Sequence, residues 1–406
     1  MKVLQVINAY YPPYSSGGPA FVTYNISKML VKRGYKVTVY TTNALSRNEL
    51  FYPKQSPNYS NGVEVYYFGN TIYKPSTYIY FSKELIEAIK KNISNYDVIH
   101  LHEYRSYISL VINHYAQKYD APYILQAHGQ LPKATGKRAM KQAFDALFGR
   151  KLLKNAFKVI ALNRMEAEQY KAMGVLEEKI AIIPNGIDLS EYTNLPPKGS
   201  FKSKYNIPED KKIILYLGRI HRIKGIDLLI KAYAYLVKKT GCKDAILVIA
   251  GPDDGYLNEA KALAKSLKID DSVIFTGSLY GGDKLEAYVD AGVYVLPSRY
   301  ETFPMTVLEA YACGKPVIVS NVGGLKDLVV NGETGLLFEL ENIEELSRKL
   351  YQLLHDDYKT EEMGRTGRSF VEKNFMIEKV VSKLEKVYEE VYLRHSMTTI
   401  TSKHEF

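Results

Sequence analysis

The sequence predicts an α/β protein built from two doubly wound parallel-sheet domains of nearly equal size. Three observations carry that reading. Short β-branched apolar runs alternate with helical stretches, as in sheets covered on both faces. The alternation restarts after Leu195-Pro196-Pro197-Lys198-Gly199-Ser200, the best linker in the chain. A length of 406 residues suits two or three domains at roughly 150 residues each. The expected domains are residues 1–192 and 193–376.

The first strand is Lys2–Asn8. A loop rich in Gly, Pro and Ser follows (Pro12, Pro13, Ser15, Ser16, Gly17, Gly18, Pro19). Ala20–Lys32 then has a helical pattern that stops at Gly34, and Lys36–Thr42 is the next strand. Further buried strands are expected at Val63–Phe68, Val98–His102, Tyr123–Ala127, Val159–Leu162 and Ile180–Ile183. The second series is Ile213–Leu217, Ile246–Ala250, Val273–Thr276, Val293–Leu296 and Val317–Ser320. The helical stretches Glu344–His355, Lys359–Lys373 and Ile377–Arg394 close the chain, and the polar tail Ser396–Phe406 is expected to fray.

Composition narrows the function. Hydrophobic residues are 46% and charged residues 24%, which excludes wholesale disorder and low-complexity repeats. No apolar run approaches the ~20 residues of a membrane span. Met1–Asn8 is too short an apolar core for a signal peptide. Cys242 and Cys313 are the only cysteines, which excludes a disulfide scaffold or a Cys-based metal site and fits a cytoplasmic protein. The charge is uneven. Residues 1–190 hold 24 Lys and Arg against 13 Asp and Glu, a net of +11, and the remainder is near neutral. Such asymmetry points to an anionic partner, and no nucleic-acid-binding module is present to make that partner a nucleic acid.

Four constellations carry chemistry. In Ser298-Arg299-Tyr300-Glu301-Thr302-Phe303-Pro304-Met305-Thr306-Val307-Leu308-Glu309, two glutamates straddle a strand-to-helix junction. A helix N-terminus offers N–H groups to phosphate, and a carboxylate deeper in the helix can accept from two ribose hydroxyls. Two solvated carboxylates favoured by the helix dipole would show the same spacing, which leaves both readings open. In Gly218-Arg219-Ile220-His221-Arg222-Ile223-Lys224-Gly225, cations five apart suit a diphosphate, or form an ordinary basic loop. Gly17-Gly18 permits close approach of backbone to phosphate, or simply makes a loop. His128, at a strand end, can hydrogen-bond a sugar hydroxyl or a leaving phosphate. His100 and His102 share one face of a strand, where packing is the expectation because no third metal ligand is nearby. Neither a P-loop nor a G-x-G-x-x-G sequence occurs.

The order of motifs resembles the retaining family-4 nucleotide-sugar glycosyltransferases of GT-B fold. It runs Gly17-Gly18, His128, Ile183-Pro184-Asn185-Gly186-Ile187-Asp188, Gly218-Arg219…Lys224-Gly225, Ala250-Gly251-Pro252, and Glu301 with Glu309. Gly314-Lys315-Pro316, Val322-Gly323-Gly324 and Asn331-Gly332-Glu333-Thr334-Gly335 follow. The resemblance covers about residues 1–390. It implies two domains facing across a cleft, with the last helix, 377–394, packing back on the first. It implies that Arg219 and Lys224 neutralise the leaving diphosphate, Glu309 holds the ribose, and Glu301 holds the donor sugar beside His128. Gly17, Gly18, Asn185, Gly218, Phe303, Met305 and Thr306 would complete the donor site, and Leu279 would flank the base. Pro304 replaces the commoner glycine and has no N–H to donate. No cofactor and no metal are expected, because the two cations serve the diphosphate.

The acceptor is expected to meet the N-terminal half. Lys133–Lys154 carries Lys133, Lys137, Arg138, Lys141, Arg150, Lys151 and Lys154 against Asp145 alone, with Met140, Phe144, Leu147 and Phe148 on one helical face. Such a helix can lie on an anionic membrane, or pack into the core with a solvated basic face. The leading expectation is a peripheral enzyme at the inner membrane face acting on a lipid-linked or oligosaccharide acceptor in surface glycan synthesis. A soluble sucrose- or glycogen-type synthase, and an inactive nucleotide-sugar-binding protein, are the alternatives.

Overall fold

The computed structural model describes residues 1–10, 18–44, 50, 57–69, 72–74, 79–132, 138–241 and 243–403. The chain divides into two compact units, Met1–Gly186 with Ile377–Phe406, and Ile187–Met376. The division therefore lies at Gly186/Ile187, ahead of the expected boundary after Tyr192. The Pro-Pro-Lys-Gly segment belongs to the second unit, where Asp290 holds it: its buried carboxylate accepts from Gly199 N at 2.6 Å and Lys202 N at 3.0 Å.

The first unit is built on strands β1 (Lys2–Val6), β2 (Lys36–Thr42), β3 (Asn58–Ser60), β4 (Val63–Phe68), β5 (Ile72–Lys74), β6 (Ile79–Phe81), β7 (Val98–Leu101), β8 (Tyr123–Gln126), β9 (Lys158–Ala161) and β10 (Ile180–Ile182). Eight form one sheet in the order β10-β9-β8-β7-β1-β2-β4-β3, parallel throughout except for β3. β5 and β6 make a separate antiparallel pair. The central strands β7 and β8 are buried along their whole length, as continuous Val/Ile/Leu runs require when both faces are covered. β3, β5 and β6 have three residues each, too short for an alternation pattern to reveal them.

The final helix, Ile377–Lys403, packs on this unit through Val381, Leu384, Tyr388 and Val391, all buried. Arg33 ties it down, donating to Ser382 Oγ at 2.8 Å and Glu378 O at 2.6 Å and pairing with Glu385. The helix runs to Lys403, into the segment expected to fray, whose last three residues lie outside the described ones. Beyond Arg394, the His395 ring meets Asp120 O at 2.6 Å and Ser396 Oγ bonds back to Tyr392 O.

The basic segment differs from the continuous helix expected. Lys133 and Lys137 lie outside the described residues. Helix Arg138–Phe144 passes into a π turn, Asp145–Gly149, and then helix Arg150–Asn155. The cause is Asp145. Its buried carboxylate accepts from Tyr104 Oη at 3.0 Å and from Arg105 Nε and Nη2 at 3.0 and 2.8 Å. Gly149 packs on Tyr104, whose hydroxyl would lie 2.2 Å from a Cβ there. The extra residue of the π turn brings both inward. Met140, Leu147 and Phe148 stay exposed, which removes the core-packed alternative for those three.

The second unit carries β11 (Lys212–Leu217), β12 (Ala245–Ala250), β13 (Val273–Gly277), β14 (Ala291–Leu296), β15 (Val317–Ser320) and β16 (Gly335–Phe338). They form one parallel sheet in the order β13-β12-β11-β14-β15-β16. β16 was not foreseen, because its four residues begin at a glycine. In each sheet the connection reverses direction once, between β1 and β7 and between β11 and β14, and ligands of open parallel sheets bind beyond the strand ends at such points. Among the described residues, no helix is long and apolar enough to cross a membrane.

Candidate functional site

The second unit gathers most of the expected residues at the β11/β14 switch. β11 ends at Leu217 and hands on to Gly218 and Arg219, followed by a short 3-10 turn, Arg222–Lys224. Gly225 sits at φ +67°, and a Cβ there would lie 1.9 Å from Pro297 O, so the loop after β11 presses on the loop after β14. That contact delivers Lys224 to Glu301, with Nζ 2.5 Å from Oε1. Ser298 Oγ donates to the same oxygen at 2.7 Å. Among the described residues, both contacts fall on Oε1, which leaves Oε2 open. The backbone of Glu301 is fixed in turn, its carbonyl accepting from Gly324 N at 2.9 Å.

Glu309 lies in helix Met305–Ala312 and is buried. Its Oε1 pairs with Lys284 Nζ at 2.7 Å, and Oε2 accepts from Tyr288 Oη at 3.1 Å. A carboxylate has about four lone-pair sites, so two remain for a ligand. Thr306 Oγ1 is 2.7 Å from Tyr294 Oη, and Phe303 and Met305 are buried at the helix entry, Phe303 edge-on to Phe375 at 5.6 Å.

Arg219 pairs with Asp254 at 2.6 Å. Arg299, inside the motif but given no role beforehand, grips Asp227 through two bonds of 2.8 Å. Burial alone would raise Asp227, but the guanidinium holds it below the ordinary carboxylate range. Lys284, Asp254 and this pair escaped the sequence reading, because each partner comes from a different part of the chain. Beside Arg219 a cavity of about 490 Å³ opens, lined by Ile220, Gly251, Lys261, Phe275, Thr276 and Ser278 among others. Leu279 is one position further along and buried. Gly251, at φ +145°, lets β12's end meet β11's: its Cβ would lie 1.8 Å from Gly218 O.

The first unit holds the remaining expected residues. Gly17 lies outside the described residues, Gly18 begins helix Gly18–Lys32, and Asn185 is buried after β10. His128 follows β8 at φ +49°, beside Gly129 at +79°. This left-handed pair of residues is strained for histidine and is held from helix Arg164–Ala172. Glu166 accepts from Gly129 N and Leu162 N, both at 2.7 Å, and Tyr170 Oη accepts from Ala127 N. His102 Nδ1 lies 3.0 Å from His128 Nε2, and the His100 and His102 rings stack at 3.9 Å. The three histidines meet through hydrogen bonds and ring contact. Among the described residues, no group of three or more His, Cys, Asp or Glu is placed to hold a metal ion.

Two parallel α/β sheets, each with its polar residues at one switch point, define the GT-B architecture. Residues 16–191 match the family "Glycosyltransferase Family 4" and residues 198–370 match "Glycosyl transferases group 1". The chain belongs to these glycosyltransferases. It is 27% identical over 389 residues to an N-acetyl-alpha-D-glucosaminyl L-malate synthase of Bacillus anthracis, covering 94% of this chain and 95% of that protein. It is 25% identical to a D-inositol 3-phosphate glycosyltransferase of Kineococcus radiotolerans, covering 86% and 85%. The fold is shared with HepE of Anabaena, solved with UDP and glucose, at a TM-score of 0.78 and 18% identity, covering 96% of this chain and 100% of that one.

Burial pushes His128 down to about 3, and His100 and His102 well below the ordinary histidine range. These three rings therefore take up fewer protons in the folded state than in the unfolded chain below pH ~6.5, and their contribution to stability is lost as pH falls through that window. Glu166, raised to about 7 by burial against its two N–H donors, acts in the opposite sense between its unfolded value and pH 7. His128→Asn, which suits the left-handed backbone, should flatten the acid-side slope by up to ~1.4 kcal/mol per pH unit. Urea melts from pH 7.5 to 4.5 measure it, and equal slopes for variant and wild type would refute it.

Proposed function

We propose that this chain is a retaining hexosyltransferase that moves a sugar from a nucleoside diphosphate sugar to a hydroxyl of a lipid-linked or oligosaccharide acceptor. The observation that carries it is the Lys224–Glu301 pair held at the β11/β14 switch, with Glu309 one helix turn beyond. Breaking the anomeric C–O bond builds negative charge on the diphosphate and positive character on the sugar. Lys224 spends one of its three donors on Glu301 and aims the rest at that charge, with Arg219 leaving Asp254 to join it. N–H groups at the start of helix Met305–Ala312 add to the phosphate site, Pro304 giving none. Glu301 Oε2 accepts from a sugar hydroxyl, and Glu309 accepts from the ribose. The cavity at Gly251–Ser278 takes the base. The acceptor attacks from the leaving group's face, and a phosphate oxygen takes its proton. Charge stabilisation comes from Lys224 and Arg219, so this route uses no divalent ion.

A second reading, transfer to a small anionic acceptor without a membrane, draws on the two named relatives, an N-acetyl-alpha-D-glucosaminyl L-malate synthase and a D-inositol 3-phosphate glycosyltransferase, whose names carry small anionic groups. It shares the net charge of +11 over residues 1–190. The membrane reading rests on Met140, Leu147 and Phe148, exposed on a surface that also carries Arg138, Arg150, Lys151 and Lys154.

Lys224→Ala and Glu309→Ala should each lower turnover about tenfold to more than a hundredfold, since a contact to a charged group contributes roughly 1.5–3 kcal/mol. A thermal-shift panel of UDP, GDP, ADP and their sugars identifies the donor for that assay, and a fully active, folded double variant would defeat the site assignment. The product should keep the α configuration of an α-linked donor. Its anomeric proton coupling constant reports this, and a β product contradicts the retaining mechanism.

Binding to anionic liposomes should weaken with salt and with Arg138, Arg150, Lys151 and Lys154 changed together to Ser, because each basic residue near an anionic surface adds about 1 kcal/mol. Co-sedimentation that is equal on neutral liposomes, or unchanged by the four substitutions, favours the soluble acceptor.

A further inference from the structure

We propose that Tyr388, Gln5 and His102 are positioning residues that fix the ring tautomer of His128, so that His128 presents a bare Nδ1 to its ligand. The catalytic consequence rests on the reading of His128 as a sugar-side residue, but the tautomer does not.

The argument follows single protons along a buried chain. Gln5 stands on β1, His100 at the end of β7, His102 just past it, and Tyr388 on the last helix. Gln5, His100, His102 and Tyr388 are all fully buried. Gln5 Nε2 donates to Tyr388 Oη at 3.1 Å, so Gln5 Oε1 is the acceptor for His102 Nε2 at 2.6 Å. His102 therefore carries its proton on Nε2, and its Nδ1 is a lone pair. That lone pair lies 3.0 Å from His128 Nε2, which must be the donor. A neutral imidazole has one N–H, so His128 Nδ1 is bare and can act only as an acceptor.

The other end of the chain is Tyr388 and His100. The Tyr388 oxygen accepts from Gln5 and passes its own proton to His100 Nδ1 at 2.8 Å. Among the described residues His100 Nε2 makes no hydrogen bond, and the Gln126 side chain is the other polar group at this ring. Each internal link has one proton and two atoms, so the chain can reverse only as a whole, with the Gln5 amide turned over. A half-satisfied buried network is costly, and this one stops at a single orphan atom. Without the Tyr388 hydroxyl, the Gln5 amide loses the partner of its Nε2, and both amide orientations, with both tautomers of His102 and His128, become accessible.

The test uses the full chain labelled with nitrogen-15 histidine, because a protonated and a bare ring nitrogen resonate far apart. The His128 signals are assigned by their loss in His128→Gln. Wild type should show Nε2 protonated and Nδ1 bare. In Tyr388→Phe, and in Gln5→Met should the first variant fail to fold, the two His128 nitrogens should move toward each other as tautomers exchange. Sugar transfer should then fall about tenfold in kcat, the loss of one ordinary hydrogen bond, with donor KM within twofold. Averaged or Nδ1-protonated signals in wild type, or an unchanged His128 tautomer in a folded variant, would overturn the proposal. The spectra need no substrate: the expected tautomer in a chain without transferase activity would sink the proposed function and leave this inference standing.

Discussion

Three carbonyl oxygens in the second unit occupy space that a Cβ would fill. Gly218 O meets Gly251 at 1.8 Å from the position of such an atom, Pro297 O meets Gly225 at 1.9 Å, and Glu301 O meets Gly323 at 2.2 Å. All three glycines have positive φ, which side-chain-bearing residues adopt at a cost. The result is a set of loops pressed backbone to backbone at the strand ends, with no side chain to act as a spacer. Lys224 reaches Glu301, and Arg219 stands at the cavity rim, because these contacts set how far the loops stand apart. The glycines thus set the distance at which these charges meet.

The first unit solves a different problem, the burial of polar groups at the ends of its strands. Glu166 converts two backbone N–H groups into the support for a strained turn. Asp145 does the same for the basic segment through Tyr104 and Arg105, at the expense of regular helix. In both places a buried carboxylate decides a backbone conformation, which in turn decides where other side chains go: it sets the left-handed turn at His128 in one case, and leaves Leu147 and Phe148 exposed in the other.

Much of this was legible in the sequence, because parallel strands buried on both faces announce themselves as short Val/Ile/Leu runs. The twelve expected strand runs all correspond to strands found, and the four missed are three- or four-residue pieces. The glutamate pair and the Arg219/Lys224 loop were legible because motif and chemistry lie within a dozen residues of each other. What was not legible is contact between elements far apart in the chain. Lys284 is 25 positions from Glu309, Asp227 is 72 from Arg299, and Tyr388 is 383 from Gln5. The π turn was hidden for a related reason. Met140, Phe144, Leu147 and Phe148 fit a regular helix well, and only the long-range pull of Tyr104 and Arg105 on Asp145 breaks it.

The return of the last helix to the first unit also orders events during synthesis. The second unit, Ile187–Met376, is inserted between two pieces of the first. At ~5–20 residues per second, its 190 residues take the ribosome roughly 10–40 s to add. Through that interval the groove that will receive Val381, Leu384 and Tyr388 stands open on a nascent chain whose second unit can already fold. The first part made is thus the last part finished.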